Sequence, residues 1–316
     1  MKKIDKWKKG KEEYILNDGF MLKRADKLEF GIHETIYSNV DLELSYSWKK
    51  QTVDKIDYDD HFWIFKDDKR VGGVHIGADF IGAFFIEAPY AVDRFLVISS
   101  LHNAILQWSG KDNIIKIYGV TPKDIENFNK LGYRIECERR VMIRPTEIFE
   151  DINWSDDFIV KTPTISDAQN IGKLFFESYS GGIDYELFGH RNLEEAVMDA
   201  ERILKIYKTN NTLDGSTIIF DKNNNELIAA CIAGISGFCD NDFSEIGEVV
   251  VRPDYRRLGI ASNMIKLALT NLKKISPATI LCVTIGNPSE GLYHNMGFFS
   301  GVKFTNMYLK INHLET

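Results

Sequence analysis

The stretch that decides the fold runs from Glu248 to Phe298 and reads EVVVRPDYRRLGIASNMIKLALTNLKKISPATILCVTIGNPSEGLYHNMGF. It opens with a β-branched run that stops at a proline, and a helical pattern follows. The turn between them places Gly259 and Ala261 where backbone N–H groups would approach an anion at the helix N-terminus. Arg256 and Arg257 add donors that suit phosphate. The turn therefore predicts a phosphate site, with an ordinary small-residue helix cap as the alternative.

A second motif follows the first at the end of the next predicted strand. It has the pattern N-P-x-x-x-x-Y-x-x-x-G-F and contains Asn287 and Tyr293. Together with the R-x-x-G-x-A turn after a V-x-P strand, it resembles the GNAT superfamily of acyl-CoA-dependent N-acetyltransferases. In that family the first segment binds pyrophosphate, and the second carries an Asn at a strand end and a Tyr near the acetyl-CoA sulfur. The resemblance implies acetyl-CoA as the cosubstrate.

The resemblance also implies which residues contact the cofactor. The pantetheine arm of CoA can pair with open backbone groups of a strand, here at Val249 and Val251. Asn287 would contact the pantetheine or bridge the gap between strands, and its alternative role is to start a turn before proline. The pyrophosphate would lie on the turn formed by Arg256, Arg257, Leu258, Gly259, Ile260, Ala261 and Ser262.

Aminolysis of a thioester needs a neutral amine and a stabilised leaving group. A lysine-like amine has a pKa of about 10.4, so only about one molecule in 2,500 is neutral at pH 7. The leaving thiolate has a pKa of about 8.5, and a phenol with a pKa of about 10 can donate a hydrogen bond and a proton to it. Tyr293 is therefore the predicted general acid. Packing on the sheet is its alternative role.

The predicted base is Glu245 or Glu248, since both lie on or just before the strand beside the turn. In several members of the family a Glu on this strand orients a water that accepts the amine proton. Glu245 lies an even number of residues before Val249 and Val251, so in a regular strand all three side chains share one face. Glu248 points to the opposite face unless a bulge intervenes. A solvated charge is the alternative for each. Cys282 stands where other members carry a Glu, and we interpret it as a buried small side chain.

Composition limits the partners and the location of the protein. The net charge of −7 argues against nucleic acid and favours a cationic amine as acceptor. The longest apolar stretch is too short to span a bilayer, so no membrane partner is expected. Four scattered cysteines and seven histidines without metal-ligand spacing predict a reducing cytoplasm and no metal site. The expected assembly is a monomer or a homodimer.

The fold class predicted is α/β, with two tandem GNAT-like domains at residues 1–150 and 151–316. Each would have a central mixed, mainly antiparallel sheet flanked by helices, and Pro145–Asp157 would link them. The chain repeats a spacing, because Pro89 lies 43 residues before Gly132-Tyr133 and Pro253 lies 44 residues before Gly297-Phe298. This indicates an internal duplication. The alternative is two α/β domains that share only a coarse pattern.

The first copy is predicted to be degenerate. The segment Tyr90–Asp93 has no glycine and only Arg94 nearby, and Phe128 occupies the position that corresponds to Tyr293. The arrangement is similar to the mycothiol synthase type of tandem GNAT chain. The residues at 1–150 are therefore expected to shape the acceptor cleft or to act as a packing partner, without binding CoA productively.

The predicted function is transfer of an acetyl group to a primary amine of a small molecule or peptide, by direct attack in a ternary complex. Two alternatives remain open: a CoA-binding sensor without catalysis, and an aminoacyl-tRNA-dependent peptidyl transferase of GNAT-like fold. The acidic net charge and the intact turn argue against a tRNA-bound donor. The loops expected to wall the acceptor side offer an aromatic and acidic mixture: Tyr185, Phe188, His190, Phe238, Asp240, Asp242 and Phe243.

Overall fold

The computed structural model describes residues 4–34, 36–37, 60–87, 92–110, 113–180, 182–185, 189–190, 192–236 and 243–311. The chain divides into two units, one formed by Met1–Arg140 with Gly301–Thr316 and the other by Val141–Ser300. The division therefore falls ten residues before the expected boundary at residue 150. The end of the chain also belongs to the first unit, where a simple tandem split would put it in the second.

The first unit is a sheet flanked by helices. Its strands are β1 (Glu13–Ile15), β2 (Phe20–Arg24), β3 (His61–Lys66), β4 (Lys69–Ile76), β5 (Phe80–Ile86), β6 (Ile114–Val120), the first part of β7 (Arg134–Pro145) and β14 (Phe304–Lys310). Its helices include α1 (Lys27–Glu34), α2 (Arg94–Trp108) and α3 (Pro122–Lys130). The spatial order is β1-β2-β3-β4-β5-β6-β14-β7. Strands β5 and β6 are parallel, and the other neighbours are antiparallel.

Strand β14 was expected to close the second domain, but it lies in the first unit between β6 and β7. Met307 is paired with Ile117 on one side and with Ile135 on the other. Met307 and Leu309 are buried in the core of the first unit. The alternation of apolar and polar residues along this segment predicts a strand, but it carries no information about which sheet the strand joins.

The second unit is also a sheet with helices on both faces. Its strands include β8 (Phe158–Lys161), β9 (Thr217–Asp221), β10 (Leu227–Gly234), β11 (Phe243–Val251), β12 (Ala278–Thr284) and β13 (Phe299–Ser300). Its helices include α4 (Ala168–Tyr179), α5 (Leu193–Thr209), α6 (Ile260–Leu272) and α7 (Ser289–Asn295). The order is β12-β11-β10-β9-β8, with β11 and β12 parallel and the others antiparallel.

Strand β10 explains why both faces of this sheet are covered. Its sequence, LIAACIAG, is apolar without alternation and buried after its first residue. Such a run suits a strand covered on both faces. Helices α4 and α5 pack on one face beside Ala230 and Ile232, and α6 packs on the other beside Ala229 and Cys231. The predicted fold class, a mixed and mainly antiparallel sheet flanked by helices, is confirmed.

The two units share details of the strand–helix–strand–helix segments β5-α2-β6-α3 and β11-α6-β12-α7. After α3, Tyr133 N–H donates to Phe128 O at 3.2 Å, and after α7, Phe298 N–H donates to Tyr293 O at 3.0 Å. The glycine before each donor residue has a left-handed φ, of +89° and +81°. The two aromatic pairs meet edge to face, at centroid distances of 5.5 and 6.0 Å. These matching details favour an internal duplication.

The segment expected to be a linker is packed against the second unit. Thr146 Oγ1 donates to Ser276 O at 2.6 Å, and Phe149 N–H donates to Thr270 Oγ1 at 3.0 Å. Farther along, Lys266 lies 2.6 Å from Asp151. These contacts of Phe149 and Asp151 fix the segment to α6, so it is a packed part of the second unit. Within the described ranges, no helix is long and apolar enough to cross a membrane.

Candidate active site

Strand β11 bulges at Gly247, where its register with β10 shifts. The extra residue turns Glu245 to the same face as Glu248 and away from the face of Val249 and Val251. The prediction that Glu245 lies on the same face as these valines was therefore wrong, because it assumed a regular strand. Both glutamates lie on the face that α4 and α5 cover.

A cavity of about 850 Å³ lies among the ends of α4, β11 and β12 and the starts of α6 and α7. Most of the predicted site residues line it, namely Val249, Val251, Arg256, Arg257, Gly259, Ile260, Ala261, Ser262, Asn287 and Tyr293. Leu258, Glu245 and Glu248 are not among the lining residues. The Leu258 side chain is 62% exposed and points to solvent, so only its backbone could serve an anion. The structure thus brings both sequence motifs to one cavity.

The turn before α6 has the backbone geometry of an anion site. Arg257 and Gly259 have left-handed φ values of +66° and +78°. The first backbone hydrogen bond of α6 runs from Asn263 N–H to Gly259 O at 3.0 Å. The N–H groups of the first helical residues, Ile260 to Ser262, therefore precede the helical ladder and can bind an anion. A Cβ at Gly259 would meet no heavy atom within 4 Å, so the space beside the turn is open.

Arg256 lines the same turn, but its guanidinium is engaged with backbone oxygens. Its Nε donates to Val251 O at 3.1 Å, and its Nη2 donates to Ser178 O at 3.4 Å. The side chain is exposed, so these contacts are weak enough to exchange for a phosphate oxygen, which forms a stronger, charge-assisted bond. Arg256 thereby links the turn to the end of α4.

Strands β11 and β12 separate beside the cavity. Their parallel pairing covers Phe243–Glu245 with Ala278–Ile280, whereas β11 continues to Val251. On its other edge β11 remains paired with β10, as in the pair of Val249 with Cys231. The backbone of Val249–Val251 therefore has one edge in the ladder and one edge at the cavity, where Val251 O accepts from Arg256 Nε and the other groups are outside the ladder. An extended amide chain such as pantetheine could add to that open edge.

Tyr293 lies on α7 with its ring in the core and its side chain on the cavity wall. It is 9% exposed. Burial raises the pKa of Tyr293, with the negative charge of Glu248 and Asp184 contributing in the same direction. The phenol is consequently protonated at neutral pH and can donate a hydrogen bond.

The two candidate bases each accept a hydrogen bond from a tyrosine. Tyr207 Oη donates to Glu245 Oε1 at 2.8 Å, and Tyr179 Oη donates to Glu248 Oε2. Burial raises the pKa of Glu245, while the hydrogen bonds from Tyr207 and Ser236 oppose that rise. Burial, followed by the neighbouring glutamate charge, raises the pKa of both tyrosines. Both phenols are therefore proton-bearing donors that orient the carboxylates.

Asn287 has two partners of its own. Its Oδ1 accepts from Ser289 N–H at 2.8 Å at the start of α7, and its Nδ2 donates to Asp184 Oδ2 at 2.5 Å. Its backbone N–H donates to Thr284 O at 3.0 Å. The first contact is the turn-starting role that was open as an alternative. The second fixes the loop after α4 to the end of β12.

Comparisons with known proteins agree with this geometry. Residues 185–298 match the model of the acetyltransferase (GNAT) family. The chain carries an acyltransferase domain of the GNAT family. A GCN5-related N-acetyltransferase from Sphaerobacter thermophilus has a similar fold, with 12% identity, 94% of this chain and 97% of that chain covered, and a TM-score of 0.70.

A second solved structure also resembles the chain. The tandem GNAT protein from the clavulanic acid biosynthesis pathway is 10% identical, and the match covers 79% of this chain and 82% of that chain with a TM-score of 0.51. At these identities the two structures support the fold of the GNAT domain and its neighbour. No curated protein matches the sequence significantly.

Sequence reasoning missed three side chains that the structure brings to or beside the site of the GNAT domain. Tyr179 and Tyr207 hold the candidate bases, and Asp184 lines the cavity. The tyrosines are the last aromatic residues of two amphipathic helices, so their spacing indicated only core packing. Asp184 lies in the loop that was expected to wall the acceptor side.

The other predicted acceptor-side residues have mixed outcomes. Tyr185 is 43% exposed, and His190 Nε2 lies 3.0 Å from Asp199 Oδ2. Phe188, Phe238, Asp240 and Asp242 lie outside the described residues. Cys282 is exposed, contrary to the interpretation as a buried side chain. Its neighbours Leu281 and Val283 point into the core, so alternation along β12 turns Cys282 outward.

Proposed function

We propose that the GNAT domain transfers an acetyl group from acetyl-CoA to a primary amine of a small molecule or peptide by direct attack in a ternary complex. The observation that carries the proposal is one cavity of the second unit. It joins a helix N-terminus suited to pyrophosphate, an open strand edge suited to pantetheine, and a buried phenol. These three features follow the order of the chemical groups along acetyl-CoA.

Binding of the cofactor would use the backbone more than the side chains. The N–H groups of Ile260–Ser262 would bind the pyrophosphate, with Arg256 and Arg257 neutralising its charge. The open edge of Val249–Val251 would pair with the pantetheine amides. This arrangement directs the thioester toward Tyr293, which lines the same cavity.

The chemistry exchanges a carbon–sulfur bond for a carbon–nitrogen bond. The neutral amine attacks the acetyl carbon, the sulfur leaves as a thiolate, and the attacking nitrogen loses one proton. Because the pKa of Tyr293 is raised, its phenolate would be a stronger base than the leaving thiolate. Tyr293 would therefore stabilise the developing thiolate by a hydrogen bond and would not transfer its proton fully. Glu245 or Glu248 would accept the amine proton through water, since neither carboxylate lines the cavity directly.

The position of the two glutamates also favours a second candidate function, a CoA-binding sensor without catalysis. In a sensor, the Tyr207–Glu245 and Tyr179–Glu248 contacts would only join helices to the sheet, and Tyr293 would be a packing residue. The two functions differ in one measurable respect. A sensor binds acetyl-CoA without transferring its acetyl group to any amine.

The deciding experiment measures thiol release from acetyl-CoA with a panel of primary amines, amino acids and peptides. We expect amine-dependent thiol release with a matching acetylated product by mass spectrometry, and loss of most of that rate in Tyr293→Phe. Release without amine would be hydrolysis and would not support the proposal. Tight CoA binding with no acetylated product across the panel would favour the sensor.

A further inference from the structure

Asp184 places a carboxylate on the wall of the cavity. Among the described residues that line the cavity, no other has an acidic side chain. Positive groups, by contrast, gather at the turn before α6, where Arg256 and Arg257 lie. The cavity therefore has a positive part suited to the anionic cofactor and a separate negative point on the loop after α4. A ligand that reaches this point should carry a positive charge.

Only one oxygen of Asp184 is used by the protein. Oδ2 accepts from Asn287 Nδ2 at 2.5 Å, whereas Oδ1 is buried and has no hydrogen-bond partner among the described residues. Buried polar atoms without partners are rare, because each one loses its hydration without compensation. Asn287 holds the carboxylate in place at the cavity wall, and the second oxygen lacks a hydrogen bond that a donor group could supply.

Asp184 lines the same cavity as Tyr293, where the reacting groups are expected. Its charge contributes to raising the pKa of Tyr293 and of Tyr179, in both cases after burial as the main cause. Asn287, which holds Asp184, also starts the helix that carries Tyr293. The carboxylate is thus tied by two hydrogen bonds to the element that positions the phenol.

The charge of Asp184 suits a group that stays protonated. A carboxylate that pairs directly with the attacking amine would raise the pKa of that amine and reduce its neutral fraction. The candidate bases, Glu245 and Glu248, are not among the lining residues of the cavity and lie on the α4 and α5 face of the sheet. A second ammonium group on the acceptor faces no such penalty, because it takes no part in bond formation.

We propose that Asp184 is a specificity-determining residue that binds a second, non-reacting cationic group of the acceptor. The acceptor would then be a diamine or another amine that carries an additional positive charge. This inference rests on the proposed acetyl transfer and adds the chemical class of the acceptor. The carboxylate of Asp184 would pair with the ammonium group, and Oδ2 would keep its bond from Asn287.

The test compares acceptors that differ only in the second charge. Putrescine and butylamine, and cadaverine and pentylamine, are matched pairs of a diamine and a monoamine. A hydrogen bond to a charged group contributes about 1.5–3 kcal/mol, which corresponds to roughly 10- to 160-fold in kcat/KM. We expect the wild-type protein to prefer the diamine of the better-fitting pair by about that factor, after correction for its two equivalent amines.

Asp184→Asn should abolish this preference, since it removes the charge but keeps an oxygen that can accept from Asn287. The matched control is Asp214→Asn, which removes one charge from an exposed side chain of the same unit outside the cavity lining, and it should leave the ratio intact. Equal affinity for CoA in both variants would show that the fold and the cofactor site are preserved. A wild-type ratio near one, or a ratio unchanged by Asp184→Asn, would overturn the inference.

A calorimetric titration separates failure of this inference from failure of the proposed function. Putrescine is titrated into the complex with CoA, which cannot react. Weaker binding in Asp184→Asn than in wild type supports the inference even if no acetyl transfer occurs. Acetylation of monoamines and diamines at equal rates, with no binding difference, would sink the inference and leave the acetyltransferase proposal in place.

Discussion

The hydroxyl of Tyr207 donates a 2.8 Å hydrogen bond to Oε1 of Glu245, and this contact joins helix α5 to the bulged strand β11. A second contact of the same kind joins α4 to the same strand, where Tyr179 donates a hydrogen bond to Glu248. Burial favours the protonated form of Glu245, and the phenol favours the ionised form. The protonation state of Glu245 therefore depends on a tyrosine of a different helix as well as on burial.

Replacing these tyrosines should identify the base. A base must be ionised to act, so kcat/KM should fall as the pH drops through its pKa, and the raised pKa of Glu245 puts that limb above the usual carboxyl range. Tyr207→Phe removes a bond that lowers this pKa, so the limb should move to higher pH if Glu245 is the base. Tyr179→Phe should move it instead if Glu248 is the base.

The matching glutamine variants provide the check on these pH profiles. Glu245→Gln or Glu248→Gln should flatten the acidic limb for the carboxylate that acts. If neither substitution nor either tyrosine variant changes the profile, the base assignment fails. Lowering of the amine pKa by desolvation in the cavity would then be the remaining explanation.

Tyr293→Phe should lower kcat by about 10²- to 10⁴-fold while changing KM for acetyl-CoA much less, because the hydroxyl would act mainly in the transition state. The phenyl ring can keep its edge-to-face contact with Phe298. Steady-state kinetics against both substrates measures the split. Tyr118→Phe, an exposed tyrosine of the first unit, is the matched control. A loss below tenfold would make Tyr293 a packing residue.

Gly259→Val should reduce CoA affinity severely, measured by calorimetry. The new side chain would enter the open space beside the turn where the pyrophosphate is expected. It would also be strained by the φ of +78°, so Gly10→Val is the control, with a φ of +80° and equally open surroundings. Unchanged CoA affinity in a folded Gly259→Val protein would show that the anion lies elsewhere.

Titration should give one CoA per chain. In the first unit, Arg94 is held by Asp124 through hydrogen bonds of 2.7 and 2.5 Å, so it is not free for phosphate. Phe128, in the position that corresponds to Tyr293, has no hydroxyl. Arg256→Ala should weaken CoA binding, whereas Arg94→Gln should not. A second site of similar affinity that disappears in Arg94→Gln would contradict a degenerate first copy.

The stability of the first unit should depend on pH through His102. Burial lowers the pKa of His102 to about 4, below its ordinary value of 6.5, and its Nδ1 lies 3.2 Å from Tyr133 Oη. The unfolded chain takes up the proton first as the pH falls, so stability is fully present above pH 6.5 and declines toward pH 4. The loss should be about 3 kcal/mol at most, by linkage.

Urea unfolding of wild type and His102→Gln at several pH values measures this term. The difference in free energy of unfolding between the two proteins should shrink by roughly 2–3 kcal/mol between pH 7 and pH 4. Because both proteins share every other titrating group, the difference isolates His102. A difference that is constant with pH would mean that His102 has the same pKa in the folded protein as in the unfolded chain.

The sequence by itself determined the local elements and the cofactor end of the site. Glycine and proline positions, β-branched runs and helical spacing are local properties, so the turn at Arg256–Ser262, helix α6 and the position of Tyr293 on a second helix were predictable. The repeated spacing between the two halves was visible for the same reason. Because both motifs flank one strand–helix–strand unit, their meeting in one cavity was predictable as well.

Tertiary structure decided what depends on contacts between distant segments. The bulge at Gly247, which moves Glu245 to the face of Glu248, depends on pairing with β10. The placement of β14 in the first unit depends on its pairing with β6 on one side and β7 on the other. The hydrogen bond between Tyr207 and Glu245 joins residues 38 positions apart in the chain. The hydrogen bond between Asn287 and Asp184 joins residues 103 positions apart. Hydrogen bonds over such distances follow from packing of the whole domain, and no local pattern encodes them.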